Sequence, residues 1–70
     1  MNPLKKARIE KGYTLEEVAE YLNVTKTAYF YYEKGERAIP DDKVDLLIKL
    51  LDLDADIFLP SRYTISEQKN

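Results

Sequence analysis

Apolar residues recur along this chain at helical spacing. Leu15, Val18, Ala19 and Leu22 fall at i, i+3, i+4 and i+7, the stripe of an amphipathic helix with one face turned to a core. Thr14 precedes that stripe and Glu17 lies three residues after it, the capping-box signature of a helix start. Upstream, Asn2 as N-cap with Pro3 at the first helical position predicts a helix that ends at Gly12, with Leu4, Ala7 and Arg8 on its inner face. Asn23 marks a turn after the second helix, at a place where a left-handed backbone is expected. Thr25 then caps a third helix over residues 25–34, closed by Gly35, with Tyr29 and Tyr32 directed inward.

Residues 36–40 read as a connecting loop. Pro40 blocks continuation of the preceding helix, and Asp41 or Asp42 is expected to cap the next. That fourth helix carries Val44, Leu47, Ile48 and Leu51 at i, i+3, i+4 and i+7. Asp54 should cap a last short helix over residues 55–58, which Pro60 stops. Residues 61–70 alternate weakly through Tyr63 and Ile65, the pattern of a short strand, an ordered arm or a disordered tail. The expected fold is a compact all-α bundle of about five helices: one domain over residues 1–60 and a C-terminal tail over 61–70.

Residues 14–35 say most about function. They read as two short helices joined by a tight turn, with polar or aromatic residues on the outward side of the second. Ala19, Asn23, Val24, Tyr29 and Tyr32 occupy the positions where a helix-turn-helix needs a small contact residue, a turn residue and three core residues. Such a layout reads the major groove of DNA.

The net charge of −2 runs against nucleic-acid binding taken as a sum, because Lys and Arg contacts to phosphate dominate affinity. The distribution changes that picture. Residues 1–11 carry Lys5, Lys6, Arg8 and Lys11 against Glu10, whereas residues 41–58 carry Asp41, Asp42, Asp45, Asp52, Asp54 and Asp56 against Lys43 and Lys49. The domain is expected to be electrically two-sided, with a basic pole extended by Lys26, Lys34 and Arg37. Cysteine and histidine are both absent, which removes a disulfide framework, a thiol nucleophile and the usual general base. Glu16 and Glu17 are adjacent and diverge on a helix, and Asp52, Asp54 and Asp56 lack the glycine and bidentate glutamate of a calcium loop. The expectation is a non-enzyme without cofactor or metal. With no apolar run long enough to span a bilayer and no signal-peptide core at the N-terminus, it is also expected to be cytoplasmic.

Three segments together resemble the Cro and phage-repressor-like, or Xre-like, helix-turn-helix family: ARIEKGYTLEEVAEYLNVTK, YYEKGERAIP and LLDLDADIF. The similarity runs from about Leu4 to Phe58. It implies that residues 25–34 are the recognition helix, with Lys26, Thr27, Phe30 and Tyr31 toward base edges. Lys26 can donate to guanine O6 and N7, and Thr27 offers a hydroxyl and a methyl; Tyr31 offers a hydroxyl and a ring edge, while Phe30 offers only carbon, for thymine methyls, sugar or protein. Backbone contacts by the same resemblance fall to Thr14, Thr25, Lys34 and Arg37, with Lys6 and Lys11 at the edge. Arg8 and Glu33 match positions that form an ion pair between the first and third helices. Two residues depart from the pattern: Leu15 stands where a phosphate-gripping glutamine is common, and Glu36 places a negative charge in the phosphate-facing loop.

Leu46, Leu50 and Leu53 make a second stripe beside the first on the fourth helix. Leu46 and Leu50 exceed what a monomer needs, so a twofold dimer through Leu46, Leu50, Ile57 and Leu59 is expected. The functional expectation is a sequence-specific double-stranded DNA-binding regulator, a repressor on a pseudo-palindromic operator. The alternative is a protein-interaction module on the same fold, antitoxin-like or regulator-binding, with DNA binding weak or lost.

Overall fold

The computed structural model describes residues 3–57. Four α-helices and one 3-10 turn make up the regular structure of those residues: α1 Pro3–Lys11, α2 Leu15–Leu22, α3 Lys26–Lys34, α4 Asp41–Leu51, and the turn Ala55–Ile57. The expected fifth helix is thus a single 3-10 turn, opened by Asp54, whose carboxylate accepts the Asp56 N–H at 3.0 Å. Asn2 as a cap, Phe58, Leu59 and the tail 61–70 lie outside the described residues.

Most helix ends are set by single residues of the expected kind. The Thr14 hydroxyl accepts the Glu17 N–H at 3.1 Å and the Glu17 carboxylate accepts the Thr14 N–H at 2.8 Å, a complete capping box. Gly12 and Gly35 take φ of 82° and 74°, the left-handed conformation that closes α1 and α3. Asp52 does the same for α4 at φ 56°. The start of α4 differs from expectation. Pro40 itself is the N-cap, without a side-chain cap, and Asp41 and Asp42 fall inside the first turn. There their charge still complements the exposed N–H groups of the helix.

The core collects Leu4, Val18, Leu22, Tyr29, Leu47 and Leu51, with Ala19, Tyr32 and Val44 nearly as deep. Tyr29 and Tyr32 meet edge to face, ring centroids 6.3 Å apart, a favoured arrangement for two aromatic quadrupoles. Ile39, in the loop before α4, is also buried; standing between Ala38 and Pro40 outside any helix, it has no periodicity to announce it. Leu46, Leu50 and Ile57 are half-buried and packed against the core, so the surplus apolar surface expected on that side is partial. Leu15 is half-buried rather than part of the buried stripe. The large apolar side chains most exposed are instead Ile9, Tyr21 and Phe30.

Candidate nucleic-acid interface

The direction of α3 is fixed at both ends and from behind. At its start, Asn23 adopts φ 60° and ψ 44° and its N–H bonds back to Ala19 and Glu20, while the Val24 N–H bonds to the Ala19 carbonyl at 3.0 Å. This left-handed residue redirects the chain within three positions, which asparagine tolerates better than branched residues do. Ala19, 3% exposed, gives the small side chain on α2 beside that turn. Thr25 caps α3, its hydroxyl accepting the Ala28 N–H at 3.0 Å.

From behind, Arg8 of α1 holds α3 through Glu33. Arg8 Nε donates to Glu33 Oε2 at 2.6 Å, its Nη2 reaches Oε1 at 3.4 Å and its Nη1 donates to the Tyr13 carbonyl at 2.9 Å. The two side chains are 10% and 5% exposed, so this is a buried bidentate pair whose arginine is also anchored to backbone. Tyr29 lies in the same buried region; its hydroxyl makes no hydrogen bond of good geometry. Burial first, then the charge of Glu33 and its hydrogen-bonding reach, push the Tyr29 hydroxyl well above its ordinary value of 10.0.

With Tyr29, Tyr32 and Glu33 turned in, the outward face of α3 carries Lys26, Thr27, Phe30 and Lys34, all exposed, and Tyr31, half-buried. Lys34 Nζ sits 5.0 Å from the Phe30 ring centre and 5.7 Å from that of Tyr31, and the Arg37 guanidinium sits 5.4 Å from the Tyr31 ring. These are cation–π distances. They gather Phe30, Tyr31, Lys34 and Arg37 at the C-terminal end of the helix, while Lys26 and Thr27 occupy its start. Thr14 and Thr25 use their oxygens as cap acceptors, which leaves each hydroxyl proton to donate outward.

Two carboxylates that sequence reasoning did not pair with these cations lie among them. Lys26 Nζ is 3.1 Å from Glu16 Oε2 and Lys34 Nζ is 3.5 Å from Glu36. The hydrogen bond from Lys26, then the backbone bond and the charge of Lys26, hold Glu16 below its ordinary value. Glu16 belongs to the first turn of α2 and Lys26 to the first residue of α3; only the angle of the turn between them brings the pair together, and no spacing rule within one helix reports it. Arg37 makes no ion pair among the described residues. Lys6 and Lys11 are exposed on α1.

A shallow cleft of about 340 Å³ opens beside this face, lined by Leu15, Lys26, Thr27 and Phe30. A second, of about 280 Å³, lies around the turn and is lined by Glu16, Ala19, Glu20, Asn23, Val24 and Lys26. The first is mainly apolar: Leu15 and Phe30 supply carbon beside the Thr27 side chain and the Lys26 ammonium.

A helix-turn-helix family model matches residues 4–58, well over half of the chain. The chain belongs to the Xre/Cro-like helix-turn-helix family, a family of DNA-binding regulatory domains that are not typically enzymes. No curated protein and no solved structure matches it significantly. Among the described residues, no helix is long and apolar enough to cross a membrane.

Proposed function

We propose that this protein is a sequence-specific, double-stranded DNA-binding transcriptional regulator, a repressor that acts in the cytoplasm as a homodimer on a pseudo-palindromic operator. The observation that carries the reading is the division of α3: Tyr29, Tyr32 and Glu33 are locked inward, and Lys26, Thr27, Phe30 and Tyr31 are left on one outward face. Lys26, Thr27, Phe30 and Tyr31 contact base edges in the major groove, and Thr14, Thr25, Lys34 and Arg37 hold phosphates on either side. The dimer forms through the half-buried Leu46, Leu50 and Ile57, with Leu59 from beyond the described residues. It sets the two recognition helices roughly 34 Å apart, one turn of the duplex. Occupying that site excludes polymerase.

A second reading is favoured by a specific observation. Glu16 and Glu36 sit against Lys26 and Lys34, and this partial neutralisation suits a surface that meets another protein through Phe30 and Tyr31. Selection of bound sequences from a randomised duplex library separates the two. Enrichment of an inverted repeat supports the dimeric regulator, and Lys26→Ala should then lose about 1–3 kcal/mol of discrimination at one base pair per half-site. No enriched sequence would favour the protein-interaction module.

A further inference from the structure

The exposed phenyl ring of Phe30 has no polar group to offer a base or a phosphate, and 42% of its surface faces solvent. It lines the cleft of about 340 Å³ together with Leu15, Thr27 and Lys26. Leu15 comes from the start of α2 and the other three from the outward face of α3, so the cleft spans the two elements that a major groove would cover. We infer that this cleft receives the C5-methyl group of a thymine, so that the protein reads one thymine in each half-site by apolar contact. The inference rests on the DNA-binding reading and assigns to one base the part of that surface richest in exposed carbon.

The chemistry selects the occupant. Along the major-groove edges of the four base pairs the thymine methyl is the one apolar group, and O4, a hydrogen-bond acceptor, lies beside it on the same base. A mainly apolar cleft that also carries the Lys26 ammonium matches that pair of features. Lys26 can reach O4 or the acceptors of a neighbouring guanine only by leaving Glu16, 3.1 Å away and exposed, whereas Leu15, Thr27 and Phe30 are already in place. Deoxyribose carbons could also touch the ring, but they are the same at every nucleotide and would give no preference. The cleft, lined by four side chains, is too small to seat a helix of a protein partner, and the Lys26 ammonium in its lining suits an acceptor-rich edge better than an apolar side chain.

The test uses the full chain and the duplex it selects from a random library. Each thymine of that duplex is replaced in turn by deoxyuridine, which removes the methyl and leaves the hydrogen-bonding edge unchanged, and affinity is read by fluorescence anisotropy. One thymine per half-site should cost about fourfold in Kd when its methyl is removed, the equivalent of ~0.8 kcal/mol for one buried methylene-sized group. In Phe30→Ala, which removes an exposed side chain and should fold normally by circular dichroism, the thymine and deoxyuridine duplexes should bind equally. Leu15→Gln, which replaces an apolar wall with a polar side chain of similar length, should reduce the same difference. If the selected duplex binds tightly but no deoxyuridine substitution changes Kd, or if the difference survives in Phe30→Ala, the methyl assignment is wrong while the DNA-binding reading stands. If no duplex is bound at all, the DNA-binding reading itself falls, and the assignment with it.

Discussion

Two sets of ion pairs flank α3, and they differ in burial more than in chemistry. Arg8 and Glu33, 10% and 5% exposed, meet behind the helix at 2.6 Å. Lys26 and Glu16, 55% and 63% exposed, meet in front of it at 3.1 Å, and Lys34 and Glu36 pair beside it at 3.5 Å. Behind the helix both charges are held away from water, so the pair fixes how α3 sits on α1. In front, each charge is already solvated, and Lys26 or Lys34 can exchange its carboxylate for a phosphate or a base acceptor at little cost. Contacts of one chemical type therefore do two jobs, holding the helix behind and staying exchangeable in front.

The strongest way to break this comparison is to remove one member of the buried pair. Glu33→Ala leaves Arg8 charged and unpaired in the interior and should destabilise the domain by about 3–5 kcal/mol, enough to unfold much of a protein this small. Urea denaturation followed by circular dichroism reads it. Arg8→Met combined with Glu33→Leu should recover much of the loss, since the cost lies in the stranded charge; if the double variant is as unstable as Glu33→Ala, the pair is not the clasp described here.

A pH titration sharpens the same contrast from the Tyr29 side. The Tyr29 hydroxyl loses its proton less readily in the folded chain than in the unfolded one. Its contribution is therefore fully present below the unfolded value near 10 and is lost as pH rises above it, because the unfolded state then binds fewer protons. Above that point stability should fall by an additional ~1.4 kcal/mol per pH unit, and Tyr29→Phe should lack this increment when the two proteins are compared by denaturation at pH 8 and pH 11. Equal slopes would place the hydroxyl outside the buried region.

The smallest effect belongs to the exposed side. Glu16→Gln frees Lys26 and takes a negative charge off the proposed interface, and it should tighten DNA binding by about threefold or less, with the gain shrinking as salt is raised. Weaker binding would mean that Glu16 positions Lys26 for its base. Because Lys26 holds Glu16 below its ordinary value, Glu16 keeps its charge to lower pH than an unpaired glutamate does, so acidification to pH 5 should not mimic Glu16→Gln.

Much of the fold was legible because single residues decide helix ends. Thr14 with Glu17, Thr25, Gly12, Asn23 and Gly35 each act within three or four positions of their own place in the chain. The start of α4 was legible only to within one or two residues, since Pro40, Asp41 and Asp42 all suit the first turn of a helix and the sequence alone does not choose among them. The outward face of α3 follows from helical periodicity once Tyr29 and Tyr32 are turned inward. What surrounds that face does not: Glu16 meets Lys26, and Leu15 meets Phe30, across a turn whose angle is a property of packing rather than of either helix. The Arg8 and Glu33 contact, 25 residues apart, was reachable only through the family resemblance.

The most direct test of the proposed front face is the salt dependence of binding to the selected duplex, measured by fluorescence anisotropy for the natural chain and for Arg37→Ala. Arg37 makes no ion pair among the described residues, and its guanidinium, 5.4 Å from the Tyr31 ring, has no carboxylate to give up before holding a phosphate. The account predicts that Arg37→Ala weakens all duplexes alike and lowers the slope of log Kd against log salt by about 0.9, the share of one phosphate contact. An unchanged affinity and an unchanged slope would contradict the docking of α3 in the groove.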